Sequence, residues 1–150
     1  MNTRFLTQTA LIACVYIALT LVNPIGWLHL QLRISEALCT LPFFYRKTIP
    51  GVVLGVVVAN FFSPLGLIDV AAGFLCAAIT YSISYFVKNP WINTLIYALV
   101  CGIIIGYEIH LVEHIPFLVA GGPIVLSQLV ICGLSVLLWK RVSLKSFLNE

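Results

Sequence analysis

Long apolar stretches separated by short breaks dominate the sequence and limit its possible folds more than any other feature. A helix needs about 20 mostly apolar residues to cross the hydrocarbon layer, and in lipid only helices and closed barrels satisfy their backbone hydrogen bonds. The apolar residues run continuously instead of alternating with polar ones, which favours helices. Breaks at charged residues, Pro and Gly leave six stretches: 5–22, 29–45, 49–62, 66–87, 91–108 and 117–139.

The composition agrees with a chain that lies in a membrane. Of the 150 residues, 61% are hydrophobic and 9% are charged, whereas soluble globular domains are about 45–50% apolar. We therefore predict an all-α integral membrane protein in which six transmembrane helices form a single domain over residues 1–150. The first stretch is longer than a typical signal-peptide core and lacks an A-x-A-like cleavage site, so we expect it to remain as a helix.

The Lys and Arg residues predict the orientation of the chain, because cytoplasmic loops carry the positive excess. With a cytoplasmic N-terminus, every basic residue except Arg33 falls on the cytoplasmic side: Arg4, Arg46, Lys47, Lys88, Lys140, Arg141 and Lys145. We predict a multi-pass protein with both termini in the cytoplasm, Trp91 and Trp139 at the inner interface and Trp27 at the outer one. The net charge of +3 comes from these loops and does not indicate a nucleic-acid partner.

The same orientation places the acidic residues at the opposite end of the predicted bundle. Four of them fall in the outer half of the membrane or in the outer loops: Glu36, Asp69, Glu108 and Glu113. Ionisable groups are unfavourable at membrane depth and usually face the bundle interior, a partner or a water-filled cavity. We predict an outward-facing binding pocket whose candidate residues are Arg33, Glu36, Asn60, Asp69, Glu108 and Gln128.

Arg33 and Glu36 stand one helical turn apart in the segment QLRISEALCTLPFF, residues 31–44. On a helix over 29–45 they share one face, which Thr40 continues. Two interpretations remain open: the charges form an internal ion pair, or at least one of them contacts a ligand. One arginine cannot neutralise all the acidic groups at this end. The surplus of carboxylates favours a ligand that is rich in hydrogen-bond donors or positively charged.

Three stretches carry small residues at four-residue spacing, a pattern that lets helices pack closely in a membrane. These small-residue ridges are Ala10, Cys14 and Ala18; Gly51, Gly55 and Ala59; and Ala98, Gly102 and Gly106. For any one ridge, packing within the chain's own bundle is the expected role. Three ridges in so short a chain leave one of them able to contact another protein.

The segment HLVEH, residues 110–114, matches the H-x-x-E-H pattern of inverted zinc peptidases. Those enzymes need a third protein ligand on a sizeable catalytic domain, whereas little more than the last apolar stretch follows His114. We therefore expect a short outer loop near the pocket mouth, and no metal or other cofactor. The sequence contains no nucleophile motif, phosphate loop or nucleotide-binding glycine pattern, so we do not expect an enzyme. Active transport would need an energised partner.

Two sequence blocks resemble a known family. LRISEAL (32–38) with LPFF (41–44), and NFFSPLGLIDVAAG (60–73), are similar to segments of the QueT family. Members of this family are substrate-binding S components of energy-coupling factor (ECF) transporters, thought to import queuosine precursors. The resemblance implies an S-component-like bundle of six helices in a bacterial plasma membrane. It also implies an EcfT-type transmembrane coupling protein and two EcfA-type ABC ATPases as partners, which would hydrolyse the ATP.

The implied ligand is a 7-deazaguanine: the aminomethyl or cyano precursor of queuosine, or queuine. A guanine-like edge offers an N–H and an amino group side by side, and one carboxylate can accept hydrogen bonds from both. The resemblance makes Glu36, Asp69 and Glu108 candidate acceptors, with Arg33 either orienting Glu36 or donating to the base carbonyl and Asn60 as a further polar contact.

The resemblance also assigns a role to the first ridge and marks one departure. Related proteins dock on the coupling protein through a small-residue ridge of the first helix, which implies this role for Ala10, Cys14 and Ala18; Cys14 departs from the usual alanine. Gln128 stands where family members often have glutamate, which leaves the identity of the ligand open.

Two alternatives to this function remain. The protein could be an S component for another vitamin-like molecule or a membrane scaffold without transport function.

Overall fold

The computed structural model describes residues 3–23 and 33–142, and within them the protein is entirely helical. The α-helices are α1 (Thr3–Val22), α2 (Ile49–Asn60), α3 (Leu67–Ser84), α4 (Pro90–Glu113) and α5 (Phe117–Arg141). Between α1 and α2 lie a 3-10 helix, Ile34–Phe43, and a shorter 3-10 turn, Arg46–Thr48. The predicted all-α fold is confirmed for this part of the chain. The predicted positions of Trp27, Lys145 and both chain ends lie outside the described residues.

Four of these helices, α1, α3, α4 and α5, are long and apolar enough to cross a membrane. The 12 residues of α2 rise only about 18 Å at 1.5 Å per residue, which is less than the roughly 30 Å of a hydrocarbon core. The structure thus supports four of the six predicted spans by length and composition, with two shorter apolar helices between the first and second of them.

The α-helix predicted over 29–45 is wrong in its type. Residues 34–43 form a 3-10 helix, and residues 29–32 lie outside the described part of the chain. A 3-10 helix rises about 2.0 Å per residue with three residues per turn, so these ten residues cover about 20 Å instead of about 15 Å. Ser35 and Glu36 accept hydrogen bonds from side chains of α1 and α4, and Thr40 shares one with Ser135 on α5, so this segment is bonded to three different helices. Thr40 consequently does not continue the face of Glu36.

Two of the three small-residue ridges pack inside the bundle. A Cβ on Gly51 would lie 2.9 Å from Thr9 O, and one on Gly55 would lie 2.8 Å from Tyr16 Cβ, so α2 packs closely on α1. A Cβ on Gly106 would lie 2.8 Å from Gly121 Cα, so α4 and α5 are equally close. These contacts satisfy the packing role expected of the second and third ridges.

Charged side chains lie at both ends of the bundle, basic at one and mixed at the other. Arg46 donates to Ser84 O (3.3 Å) and stacks on Tyr85, which joins the start of α2 to the end of α3. Lys140 lies 5.3 Å from the centre of the Trp91 ring, which joins the end of α5 to the start of α4. At the far ends of α2 and α3, Asn60 and Asp69 meet Arg33. The basic side chains at one end of the bundle and the acidic residue Asp69 at the other agree with the predicted distribution of charge along the helices.

Candidate functional site

Arg33, Asn60 and Asp69 form one buried hydrogen-bonded group, which we call the Arg33 cluster. Arg33 donates from Nη1 to Asn60 Oδ1 (2.9 Å) and from Nη2 to Asp69 Oδ2 (3.3 Å). Asn60 donates from Nδ2 to the backbone oxygen of Asp69 (3.0 Å). All three side chains are buried. Arg33 therefore forms an ion pair with Asp69 at the start of α3 and a hydrogen bond with Asn60 at the end of α2.

The local sequence between α2 and α3 explains how the cluster forms. Asn60 is the last residue of α2, and Gly66 turns the chain with a φ of 65° just before α3 begins. A positive φ is accessible to glycine without steric cost. Asp69 then falls in the first turn of α3, where the helix dipole favours a negative charge. Gly73, one turn further, leaves room for Asn60, because a Cβ there would lie 2.3 Å from Asn60 Nδ2.

Glu108 lies beside this cluster without a hydrogen bond of its own. It projects from α4, is 4% exposed, and interacts electrostatically with both Asp69 and Arg33. Within the described part of the chain, Glu108 Oε1, Glu108 Oε2 and Asp69 Oδ1 are buried acceptors without a hydrogen-bond partner. Buried carboxylate oxygens are normally hydrogen-bonded, so three together at one end of the bundle are unusual. They could accept hydrogen bonds from a bound molecule.

Glu36 belongs to a second group, which we call the Glu36 cluster. Its Oε1 accepts a hydrogen bond from the Tyr16 hydroxyl (3.1 Å), and its Oε2 accepts one from the Tyr97 hydroxyl (2.5 Å). Cys132 Sγ donates to the backbone oxygen of Glu36 (3.6 Å) and to Gln128 Oε1 (3.4 Å). The 3-10 helix is thereby tied to α1, α4 and α5.

The structure thus divides the six predicted binding residues between two places. Arg33, Asn60 and Asp69 come together, with Glu108 in electrostatic range, whereas Glu36 and Gln128 meet through Cys132. The sequence analysis did not single out the partners of Glu36, Tyr16 and Tyr97. Each of them could have been found in the sequence as a tyrosine inside a predicted spanning stretch, because a buried Tyr hydroxyl usually needs a hydrogen-bond partner.

The HLVEH segment lies mostly on α4 and not in the expected outer loop. The helix continues to Glu113, and His114 ends it in the left-handed region, with a φ of 58°. His110 Nδ1 is hydrogen-bonded to the backbone oxygen of Ile115 (2.7 Å). Over residues 3–23 and 33–142, no three His, Cys, Asp or Glu side chains come together as ligands of a metal ion.

The first small-residue ridge faces away from the bundle. Ala10, Cys14 and Ala18 are all exposed, whereas Ile12, Ala13 and Tyr16 on the other side of α1 are buried. Exposed positions on a spanning helix contact either lipid or another protein. Of the three ridges, this is the one whose close-packing surface remains uncovered by the described chain.

These features define a multi-pass helical membrane protein with buried charges gathered at one end. Its sequence matches the family described as QueT transporter over residues 6–143, which covers most of the chain. The protein belongs to the QueT transporter family, and the resemblance found in LRISEAL and NFFSPLGLIDVAAG is confirmed. Neither a search of curated proteins nor a search of solved structures found a match.

Proposed function

We propose that this protein is the substrate-binding S component of an ECF transporter and captures a queuosine precursor from outside the cell. Membership of the QueT transporter family gives the transport role. The observation that best supports a binding site is the set of three buried carboxylate oxygens on Asp69 and Glu108 that have no hydrogen-bond partner among the described residues. A ligand with several N–H donors would satisfy them.

A 7-deazaguanine suits this arrangement chemically. Its guanine-like edge carries adjacent N–H donors, and its carbonyl is an acceptor for the guanidinium of Arg33. In this proposal Asp69 and Glu108 accept from the ligand, while Arg33 and Asn60 hold Asp69 in place. Glu36 and Gln128 support the site from the neighbouring cluster, because both Glu36 carboxylate oxygens already accept tyrosine hydroxyl hydrogen bonds.

The energising partners follow from the same proposal. An EcfT-type coupling protein and two EcfA-type ATPases would supply ATP hydrolysis, and the ridge of Ala10, Cys14 and Ala18 would contact the coupling protein. The exposure of this ridge supports that role. Small residues allow the close backbone approach on which association of helices in lipid depends.

The test is direct binding to the detergent-purified protein. Four compounds are compared by calorimetry: 7-aminomethyl-7-deazaguanine, its 7-cyano analogue, queuine and guanine. We expect at least one deazaguanine to bind more tightly than guanine. Glu108→Gln should weaken binding of the aminomethyl compound by about tenfold or more, because a hydrogen bond to a charged group contributes about 1.5–3 kcal/mol.

Glu113→Gln is the matched control. It makes the same change of charge on the same helix, but its side chain is exposed, so we expect affinity close to that of the wild type. If folded wild-type protein binds none of the four compounds, the queuosine assignment is wrong. A membrane scaffold or an S component for a different vitamin-like molecule would then be the better explanation.

A further inference from the structure

A groove between the 3-10 helix and α5, which we call the α5 groove, opens on the surface of the bundle. It has a volume of about 260 Å³ and is lined by Ile34, Ala37, Ile131, Leu134, Ser135 and Leu138. From Ile131 to Leu138 it follows α5 for about 10 Å, at 1.5 Å per residue. Ile34, Leu134 and Leu138 are exposed, so the groove is accessible from outside the bundle.

The walls of the α5 groove present carbon atoms and leave few polar groups to its contents. Ser135 is the one polar side chain that lines it. The Ser135 hydroxyl donates to Cys132 O (2.7 Å) and lies 2.7 Å from Thr40 Oγ1, so it is already bonded within the bundle. The helix that forms one wall is long and apolar enough to cross a membrane. Hydrocarbon is therefore a better filling for the groove than water.

A positive charge stands at one end of the α5 groove. Arg141 is the last residue of α5, three positions beyond Leu138, and it is exposed. The predicted orientation places this end at the cytoplasmic surface, where anionic phospholipids are concentrated. A guanidinium can bind a phosphate through two parallel hydrogen bonds. The neighbouring cation, Lys140, lies instead over the ring of Trp91 on α4.

We propose that the α5 groove binds an anionic phospholipid of the inner leaflet. One acyl chain lies between the 3-10 helix and α5, and the lipid phosphate contacts Arg141. This site is separate from the Arg33 cluster and goes beyond the proposed function, because the lipid is not the transported molecule. A bound acyl chain adds packing contacts between the 3-10 helix and α5 beyond the hydrogen bond from Trp139 Nε1 to Ala37 O (3.1 Å).

A helix of a partner protein fits the α5 groove less well than a lipid does. Close association of helices in lipid depends on small residues, whereas α5 contributes the branched side chains of Ile131, Leu134 and Leu138 to the groove. A flexible acyl chain can follow such an uneven wall. A phospholipid also supplies the negative charge that Arg141 attracts, in the position where the acyl chain meets the headgroup.

The experiment compares two lipids that share acyl chains and differ in net charge. Native mass spectrometry measures binding of dioleoyl-phosphatidylglycerol and dioleoyl-phosphatidylcholine to the full-length protein in detergent. We expect wild-type protein to prefer the anionic lipid by about fivefold. Arg141→Gln should remove most of this preference. Lys140→Gln makes the same change of charge at the adjacent exposed residue and should keep it.

A second pair of variants tests the groove itself. Ala37→Phe places a ring in the groove and should weaken binding of both lipids by about fivefold or more. Ala78→Phe makes the same enlargement at another partly exposed alanine, on α3, and should bind both lipids as the wild type does. Arg141→Gln changes an exposed side chain at a helix end, so it tests the proposal even where Ala37→Phe does not fold.

Three results would overturn the proposal. Wild-type protein could bind the two lipids equally well. Arg141→Gln and Lys140→Gln could lose the same share of the preference, which would show attraction by the general positive charge of this end. Folded Ala37→Phe could bind both lipids like the wild type; if it also failed to co-purify with the coupling protein, the groove would be a protein interface.

Discussion

Individual buried polar residues hold the short 3-10 helix between the long helices. Glu36 accepts hydrogen bonds from two tyrosine hydroxyls, and Thr40 Oγ1 lies 2.7 Å from Ser135 Oγ. An unsatisfied buried group costs about 1–3 kcal/mol, and more if it is charged. These pairs therefore determine where the 3-10 helix docks as well as how firmly it is held.

At this scale we predict that Tyr97→Phe destabilises the protein by about 1–3 kcal/mol, because the Glu36 carboxylate loses one of its two hydroxyl donors. The measurement is the thermal unfolding midpoint in detergent. Tyr107→Phe makes the same chemical change on the same helix at a side chain that is 56% exposed, and it should leave the midpoint nearly unchanged. Equal midpoints for both variants would show that the hydrogen bond from Tyr97 to Glu36 does not contribute to stability.

Glycines allow pairs of helices to pack closely, and between α4 and α5 they face each other. The clearest case is α4 against α5, where a Cβ on Gly121 would lie 2.6 Å from the backbone oxygen of Gly102. Backbone atoms cannot move aside as a flexible side chain can. The short distance between the axes of α4 and α5 at this point therefore depends on the absence of a side chain at Gly121.

For this pair of helices, Gly121→Ala should lower the unfolding midpoint, because overpacking a tight contact costs about 1–3 kcal/mol. Gly122→Ala is the adjacent control: a Cβ there meets nothing within 4 Å, and alanine is the better helix former. We expect the midpoint of Gly122→Ala to match or exceed that of the wild type. A Gly121→Ala protein as stable as Gly122→Ala would contradict the close α4–α5 contact.

At the scale of the described molecule, residues 3–23 and 33–142, the small-residue ridge on α1 is left uncovered, while the other two ridges pack within the bundle. If α1 docks on a coupling protein, ligand capture and assembly use different surfaces of the protein. Changes on the ridge should then affect one activity without the other.

We accordingly predict that Ala18→Leu reduces co-purification with the coupling protein and its ATPases, because the larger side chain prevents close helix approach. Ligand affinity should remain within about twofold of the wild type, because substitutions at exposed positions usually change the folding stability by no more than about 0.5 kcal/mol. Ala71→Leu enlarges an exposed alanine on α3 and should assemble normally. Assembly of Ala18→Leu at wild-type levels would exclude this part of α1 from the interface.

The sequence alone determined the helical class, the approximate bounds of α1, α3, α4 and α5, and the sorting of charges along them. These properties depend on local features: the length and continuity of apolar stretches and the positions of Lys, Arg and acidic residues between them. The family resemblance was equally local, since it rests on two short blocks.

Only the tertiary structure decided the winding of residues 34–43 and the partners of the buried charges. Arg33 pairs with Asp69, 36 positions away, and Glu36 with Tyr97, 61 positions away. Helical spacing predicts neighbours within one element, whereas these pairs depend on how separate helices pack. The 3-10 segment likewise bonds through its side chains to three separate helices, and these contacts cannot be read from spacing within the segment.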